Sequence, residues 1–107
     1  MREINVFISQ PMRNRTEAEI LKERESIMEY VRKLYQLSPN VECKEIKSYF
    51  PASIDSKNEP LKMLGMSIEM LAEADIAVFA EGWVCARGCK IEYECASQYG
   101  IRVIDLD

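Results

Sequence analysis

Glu92 is the residue whose placement points most directly to chemistry. It follows Glu81-Gly-Trp-Val-Cys-Ala-Arg-Gly-Cys89, a glycine-containing loop that opens a helix predicted from about Cys89 to Tyr99. On that helix Lys90, Glu94 and Ser97 share a polar face at i, i+4, i+7 spacing. Glu92 falls instead with Gly88, Cys89, Cys95, Ala96 and Tyr99, on the side that should face a sheet. A carboxylate turned inward among small residues has room for a ligand beside it. The alternative is a first-turn carboxylate that favours the helix dipole and pairs with Arg87 or Lys90.

The chain contains no histidine. That removes Ser-His-Asp and Cys-His arrangements, most catalytic zinc sites and the usual proton shuttle near neutral pH. Acid-base work must fall to carboxylates, Lys, Tyr or Cys. Cys43, Cys85, Cys89 and Cys95 match no paired C-x-x-C zinc spacing, so no metal and no cofactor are expected, and a reducing compartment would keep the thiols free. Cys89 lies one turn before Glu92 at a helix N-terminus, where a thiol pKa can fall. Packing as a small apolar residue is the expected role, and the reactive thiol is the alternative.

The elements that must position Glu92 alternate as βαβαβαβ. Ile76-Ala-Val-Phe-Ala80 reads as a buried strand before the loop and Ile101-Arg-Val-Ile104 as the strand after the helix. Near the N-terminus, Ile4 to Ile8 is a short apolar strand. Ser9-Gln-Pro-Met-Arg-Asn-Arg15 then leads to Thr16-Glu-Ala-Glu19, a capping box. The helix it starts carries Ile20, Ile27, Val31 and Leu34 on one face and ends before Ser38-Pro39-Asn40. Arg24 falls on that same face. It is expected to snorkel to the edge, the alternative being a pairing with a carboxylate at the site.

Val41 to Ile46 alternates as a strand should. Ser48 to Pro60 is irregular, a surface connection that could also serve as a lid or specificity loop. Pro60 suits the first turn of a helix whose Leu64, Ile68 and Leu71 should cover the sheet. Met63, Met66 and Met70 form an adjoining stripe, either core filling or a subunit interface. This pattern implies a single α/β domain over 1–107: a three-layer sandwich with a flavodoxin-like parallel sheet of order 2-1-3-4 and helices on both faces. With that order the switch point lies between the first and third strands, so Ser9 to Arg15 and Glu81 to Cys89 should meet at one crevice.

Composition narrows the partners. A chain of 107 residues, 48% hydrophobic and 30% charged, is an ordinary globular domain with room for one core. A net charge of -4 argues against duplex nucleic acid as a partner. No apolar run approaches bilayer length and the first residues lack a signal peptide's apolar core, so no membrane partner and a cytoplasmic location are expected.

Phe7-Ile-Ser-Gln-Pro-Met12, Ala74-Asp75, and Arg87-Gly88 with Glu92 and Ala96 resemble the nucleoside 2-deoxyribosyltransferase-like superfamily. The Gly82-Trp83, Ala86-Arg87-Gly88 and Ile91-Glu92 pattern is most similar to its small DUF4406 branch, often phage- or prophage-borne. The similarity covers nearly the whole chain, least well over Ser48 to Pro60. It implies a nucleoside or nucleotide ligand and Glu92 as the nucleophile at the anomeric carbon. Glu81, or less directly Asp75, would be the acid that protonates the leaving base. Glu81 could equally be a solvated loop acid, and Asp75 a helix cap.

Ser9, Gln10, Pro11, Met12, Arg13, Gly82, Trp83, Arg87, Gly88 and Cys89 are the expected ligand-binding residues. A 5′-phosphate would be gripped by loop amides with Arg13, Arg15 or Arg87. Relatives complete their sites across subunits, so a homodimer or higher homo-oligomer is expected. Two residues depart from the family pattern. Phe7 stands where active relatives commonly carry a tyrosine whose hydroxyl orients the nucleophile, and Glu81 replaces a common aspartate. These departures sustain a second reading, a nucleotide-binding module without efficient chemistry.

Overall fold

The computed structural model describes residues 1–50 and 54–107. Strand β1 runs Arg2–Ser9, helix α1 Glu17–Leu34, β2 Val41–Glu45, α2 Glu59–Leu71, β3 Ile76–Phe79, α3 Arg87–Gln98 and β4 Arg102–Asp105, with one 3-10 turn at Trp83–Cys85. All neighbouring strands pair in parallel, in the order β2-β1-β3-β4. Parallel neighbours cannot be joined by hairpins, so each connection carries a helix across a face of the sheet. The expected α/β sandwich is the observed one.

Period-two alternation along the strands divides the core into two layers. Ile4, Val6 and Ile8 of β1, with Ile76 and Val78 of β3, meet Ile27, Met28 and Val31 of α1. Phe7, Ala77 and Phe79 point to the opposite face, against Leu71 of α2 and Cys89 and Ala96 of α3. Each fully buried aliphatic or aromatic side chain in these layers contributes roughly 1.5–3 kcal/mol.

Local signals set the helix ends. The Thr16 hydroxyl accepts from Glu19 N at 3.1 Å while Glu19 Oε1 accepts from Thr16 N at 2.8 Å, closing the capping box. Asn58 Oδ1 caps α2 by accepting from Leu61 N, and Pro60 lies in the first turn. Asn40, at φ 59°, turns the chain from α1 into β2, a left-handed conformation that asparagine tolerates.

Three packing expectations are corrected. Leu34, the last residue of α1, is half exposed and not part of the buried face. In α2 only Leu71 is buried; the helix packs chiefly against α3, so Leu64 and Ile68 stay partly open. The methionine stripe is not one surface, since Met63 lines a cavity, Met70 packs on the core and Met66 lies between. Residues 51–53, within the segment read as a surface connection or alternatively a lid, lie outside the described residues. Among the described residues no helix is long and apolar enough to cross a membrane.

Candidate active site

The switch point between β1 and β3 brings the two chemistry-bearing loops together. Ser9 is in register with Phe79, and Ala80 N donates to Ser9 O at 2.9 Å, so the chain leaves both strands side by side. Beyond these strand ends lies a cavity of about 230 Å³. Its walls come from the end of β1 and its loop (Phe7 to Met12), the loop after β2 (Ser48, Phe50), α2 (Pro60, Met63, Leu64, Ser67) and the start of α3 (Ala86, Gly88, Cys89, Glu92).

Ser9 shares Phe7's face of β1, which turns its hydroxyl toward α3. It donates to Glu92 Oε1 at 2.6 Å, with Ser9 2% and Glu92 8% exposed. The hydrogen bond that Phe7 cannot provide is thus supplied two residues along the same strand. Burial pushes the Glu92 carboxyl up to about 6, while the Ser9 and Ser67 hydroxyls and the Arg24 guanidinium pull it back toward the ionised form. The group therefore titrates just below neutrality and is mostly anionic above it.

This burial has a measurable cost. The folded-state pKa lies above the ordinary carboxyl value of 4.5, so folding favours the protonated form. Stability then falls as pH rises from about 4.5 through 6, by an amount on the order of 2 kcal/mol. Glu92→Gln should accordingly melt higher than the wild type at pH 7.5 and show no such gain at pH 4. Equal or lower melting at pH 7.5 would contradict the buried-anion assignment.

Cys89, one turn away, does not behave as an activated thiol. Burial raises it to about 11, with the Glu92 charge adding to the rise and a Ser9 hydrogen bond opposing it. Desolvation outweighs the helix N-terminus, and the residue packs in the core as expected.

A second polar group lies behind the first. Gln10 Nε2 donates to Ile20 O at 3.3 Å and to Glu23 Oε1 at 2.8 Å, and Arg15 Nη1 donates to Pro11 O and Glu23 Oε1. Arg24 is 2% exposed rather than at the edge, so that expectation is corrected. It donates to Gln10, Glu45, Ser48 and the Ile46 carbonyl. A guanidinium can be buried here because each of its three nitrogens finds an acceptor; among the described residues no buried side-chain polar atom lacks a partner.

Of the residues singled out by sequence, Ser9, Gln10, Pro11, Met12, Gly88, Cys89 and Glu92 converge on the cavity. Others do not. Asp75 sits at the start of β3, the opposite end of the strand, where its Oδ2 accepts from Asn5 N at 2.7 Å; it is neither a helix cap nor near Glu92. Glu81 is exposed on the loop and outside the lining, and Arg13 is exposed as well. Trp83 is buried against Phe79 and Tyr93 and donates to Asp105 Oδ1, so it braces the loop instead of lining the cavity.

Gly82 adopts φ 86° and donates to Asp107 Oδ1; a Cβ there would meet Pro11 at 3.7 Å, which places this glycine where the two loops touch. Arg87 lines an adjoining groove that shares Pro60, Leu64 and Gly88 with the cavity. Tyr99, placed by spacing on the inward side, is 84% exposed because α3 ends at Gln98.

Ser67 and Met63 line the cavity without having been expected to bind a ligand, and Ser48 and Phe50 were covered only by the reading of Ser48 to Pro60 as a surface connection or specificity loop. Ser67 lies one turn after Leu64, so its side could have been read from the α2 stripe; Ser48 carries no such periodic signal. Among the described residues no group of three or more His, Cys, Asp or Glu side chains is placed to hold a metal ion. Comparison of the chain with protein-family models, curated proteins and solved structures gives no match.

Proposed function

We propose that the cavity binds a (deoxy)nucleoside or its 5′-phosphate and that Glu92 cleaves the N-glycosidic bond as a nucleophile. The observation that carries this reading is the buried Ser9–Glu92 pair at the switch-point cavity. Its support in the sequence is the likeness of Phe7 to Met12 and Arg87 to Ala96 to nucleoside 2-deoxyribosyltransferase-like proteins, the DUF4406 branch included.

Ser9 holds Oε1, leaving Oε2 to attack the anomeric carbon as the C–N bond breaks. The bonding pair departs with the base, which takes a proton from water, and a glycosyl ester of Glu92 forms. Water or a second base then displaces the carboxylate with restoration of the anomeric configuration. The apolar walls, Phe7, Phe50 and Met63 among them, suit a base's flat faces. A 5′-phosphate would meet the first turn of α3, which no side chain caps, with Arg87 in the adjoining groove.

The test is incubation with a panel of nucleosides and 5′-nucleotides, with and without acceptor base, followed by chromatography of released base. Because the anion is the nucleophile, the rate should fall below pH about 6, approaching tenfold per unit at the acid end. A rate that rises as pH falls through this range would remove Glu92 from the nucleophilic role.

A second reading, a nucleotide-binding module, is favoured by one specific fact. Among the described residues, Cys89 and Glu92 are the only titratable side chains in the cavity lining, so no second carboxylate there stands ready to protonate the base. Ligand binding with no base release in the same panel would select it. A homo-oligomer belongs to the proposal too, supported by Leu61, Ile91 and Tyr99, which leave apolar surface exposed on α2 and α3.

A further inference from the structure

Arg24 has no part in the proposed reaction, yet its surroundings tie it to the cavity. It occupies the inner face of α1 beside Ile20, Ile27, Met28 and Val31. Packing alone would favour an apolar side chain there, because desolvating a guanidinium is costly even when it is paired.

What Arg24 does instead is join two walls. Nη1 donates to Gln10 Oε1 at 2.8 Å, Nη2 to Ser48 Oγ at 2.8 Å and Ile46 O at 3.4 Å, and Nε to Glu45 Oε2 at 2.7 Å. Gln10 belongs to the loop after β1 and Ser48 to the loop after β2, and both line the cavity. Ser48 Oγ also donates to Ile8 O at 3.2 Å, closing the circuit back to β1. One planar fork thus spans α1 and both loops, a geometry that lysine's single ammonium cannot reproduce. Among the described residues Arg24 is also the only buried cation, and Glu92 the only buried carboxylate.

We propose that Arg24 is a positioning residue for this site: it clamps the β1 and β2 loops through Gln10 and Ser48 and supplies the buried positive charge that offsets Glu92. The clamp sets where Met12 and Phe50 stand at the cavity wall, and the charge favours the carboxylate over the carboxylic acid. This inference rests on the reading of the cavity as a ligand site with Glu92 as its reactive group.

The test is carbon-13 NMR of the full chain, following the Glu92 carboxyl carbon through a pH titration together with the Met12 methyl and Phe50 ring signals. Besides Arg24, the groups facing Glu92 are Ser9, Ser67 and Cys89; those facing Arg24 are Glu45, Gln10, Ser48 and, through Gln10, Glu23. Arg24→Met should raise the Glu92 midpoint above its wild-type value near 6 and shift both loop signals. Arg24→Lys should hold the midpoint near its wild-type value, because the charge stays, while still shifting Met12 and Phe50. Ser48→Ala should shift Phe50 and leave the midpoint in place.

A folded Arg24→Met protein with wild-type midpoint and loop signals would reduce Arg24 to a structural ion pair and overturn the proposal. If that variant fails to fold, unchanged Phe50 signals in both Arg24→Lys and Ser48→Ala overturn it equally. Neither readout needs turnover, so failure of the base-release assay would count against the nucleoside reading without deciding this one.

Discussion

Glu92→Gln should abolish base release while leaving the fold and ligand binding intact. Glutamine fills the same space and keeps a carbonyl oxygen to accept from Ser9, but it cannot attack as an anion. Loss of a covalent nucleophile costs several powers of ten in rate, on the order of 4 kcal/mol or more, well beyond the roughly 1 kcal/mol of a surface ion pair. The stability gain expected for this variant at pH 7.5 separates the two effects: a better-folded protein that no longer turns over has lost chemistry and not structure. Ser9→Ala should be milder, about tenfold to a hundredfold, since it removes one hydrogen bond to a charged acceptor. Quantifying released base in single-turnover reactions checks both. Full turnover by Glu92→Gln would end the nucleophile assignment.

Trp83→Ala should have the largest effect on stability among substitutions near the loop. The indole stacks on Tyr93 with centroids 4.3 Å apart and planes at 11°, packs on Phe79 at 5.5 Å, and donates to Asp105 Oδ1 at 2.8 Å. Its removal empties a site bounded by the ends of β3 and β4 and by α3, which are too firmly paired to close over the gap. A loss of about 3 kcal/mol is expected, lowering the melting temperature by roughly 15 °C. Thermal unfolding followed by circular dichroism measures it. Unchanged melting with weakened nucleoside binding would instead return Trp83 to the ligand-contacting role that its sequence position suggested.

How much of this was legible beforehand depended on the range of the forces involved. Helix starts were local, because Thr16 and Glu19 cap each other within one turn. The strands were legible too, since runs such as Ile76 to Ala80 are apolar over a length that only a buried strand explains. Alternation of strand and helix then left few topologies, and the order 2-1-3-4 put Ser9 and Glu92 at one crevice across 83 positions of sequence. The inward phase of Glu92 followed from helical periodicity alone.

Tertiary structure decided which of the neighbouring polar residues belong to the site. Asp75 and Glu81 flank the same strand and are equally acidic in sequence, yet one is at the far end of β3 and the other faces solvent. Trp83 adjoins the loop glycine, but aromatic packing draws it into the core. Arg24 could have reached water at the edge of α1. It is buried because Gln10, from the loop after β1, and Glu45, the Ile46 carbonyl and Ser48, from β2 and the loop that follows it, together give each of its nitrogens an acceptor. Periodicity reports which way a side chain points along its own element. Whether a charge can stay at that position depends on partners brought by other elements, and only the folded chain assembles them.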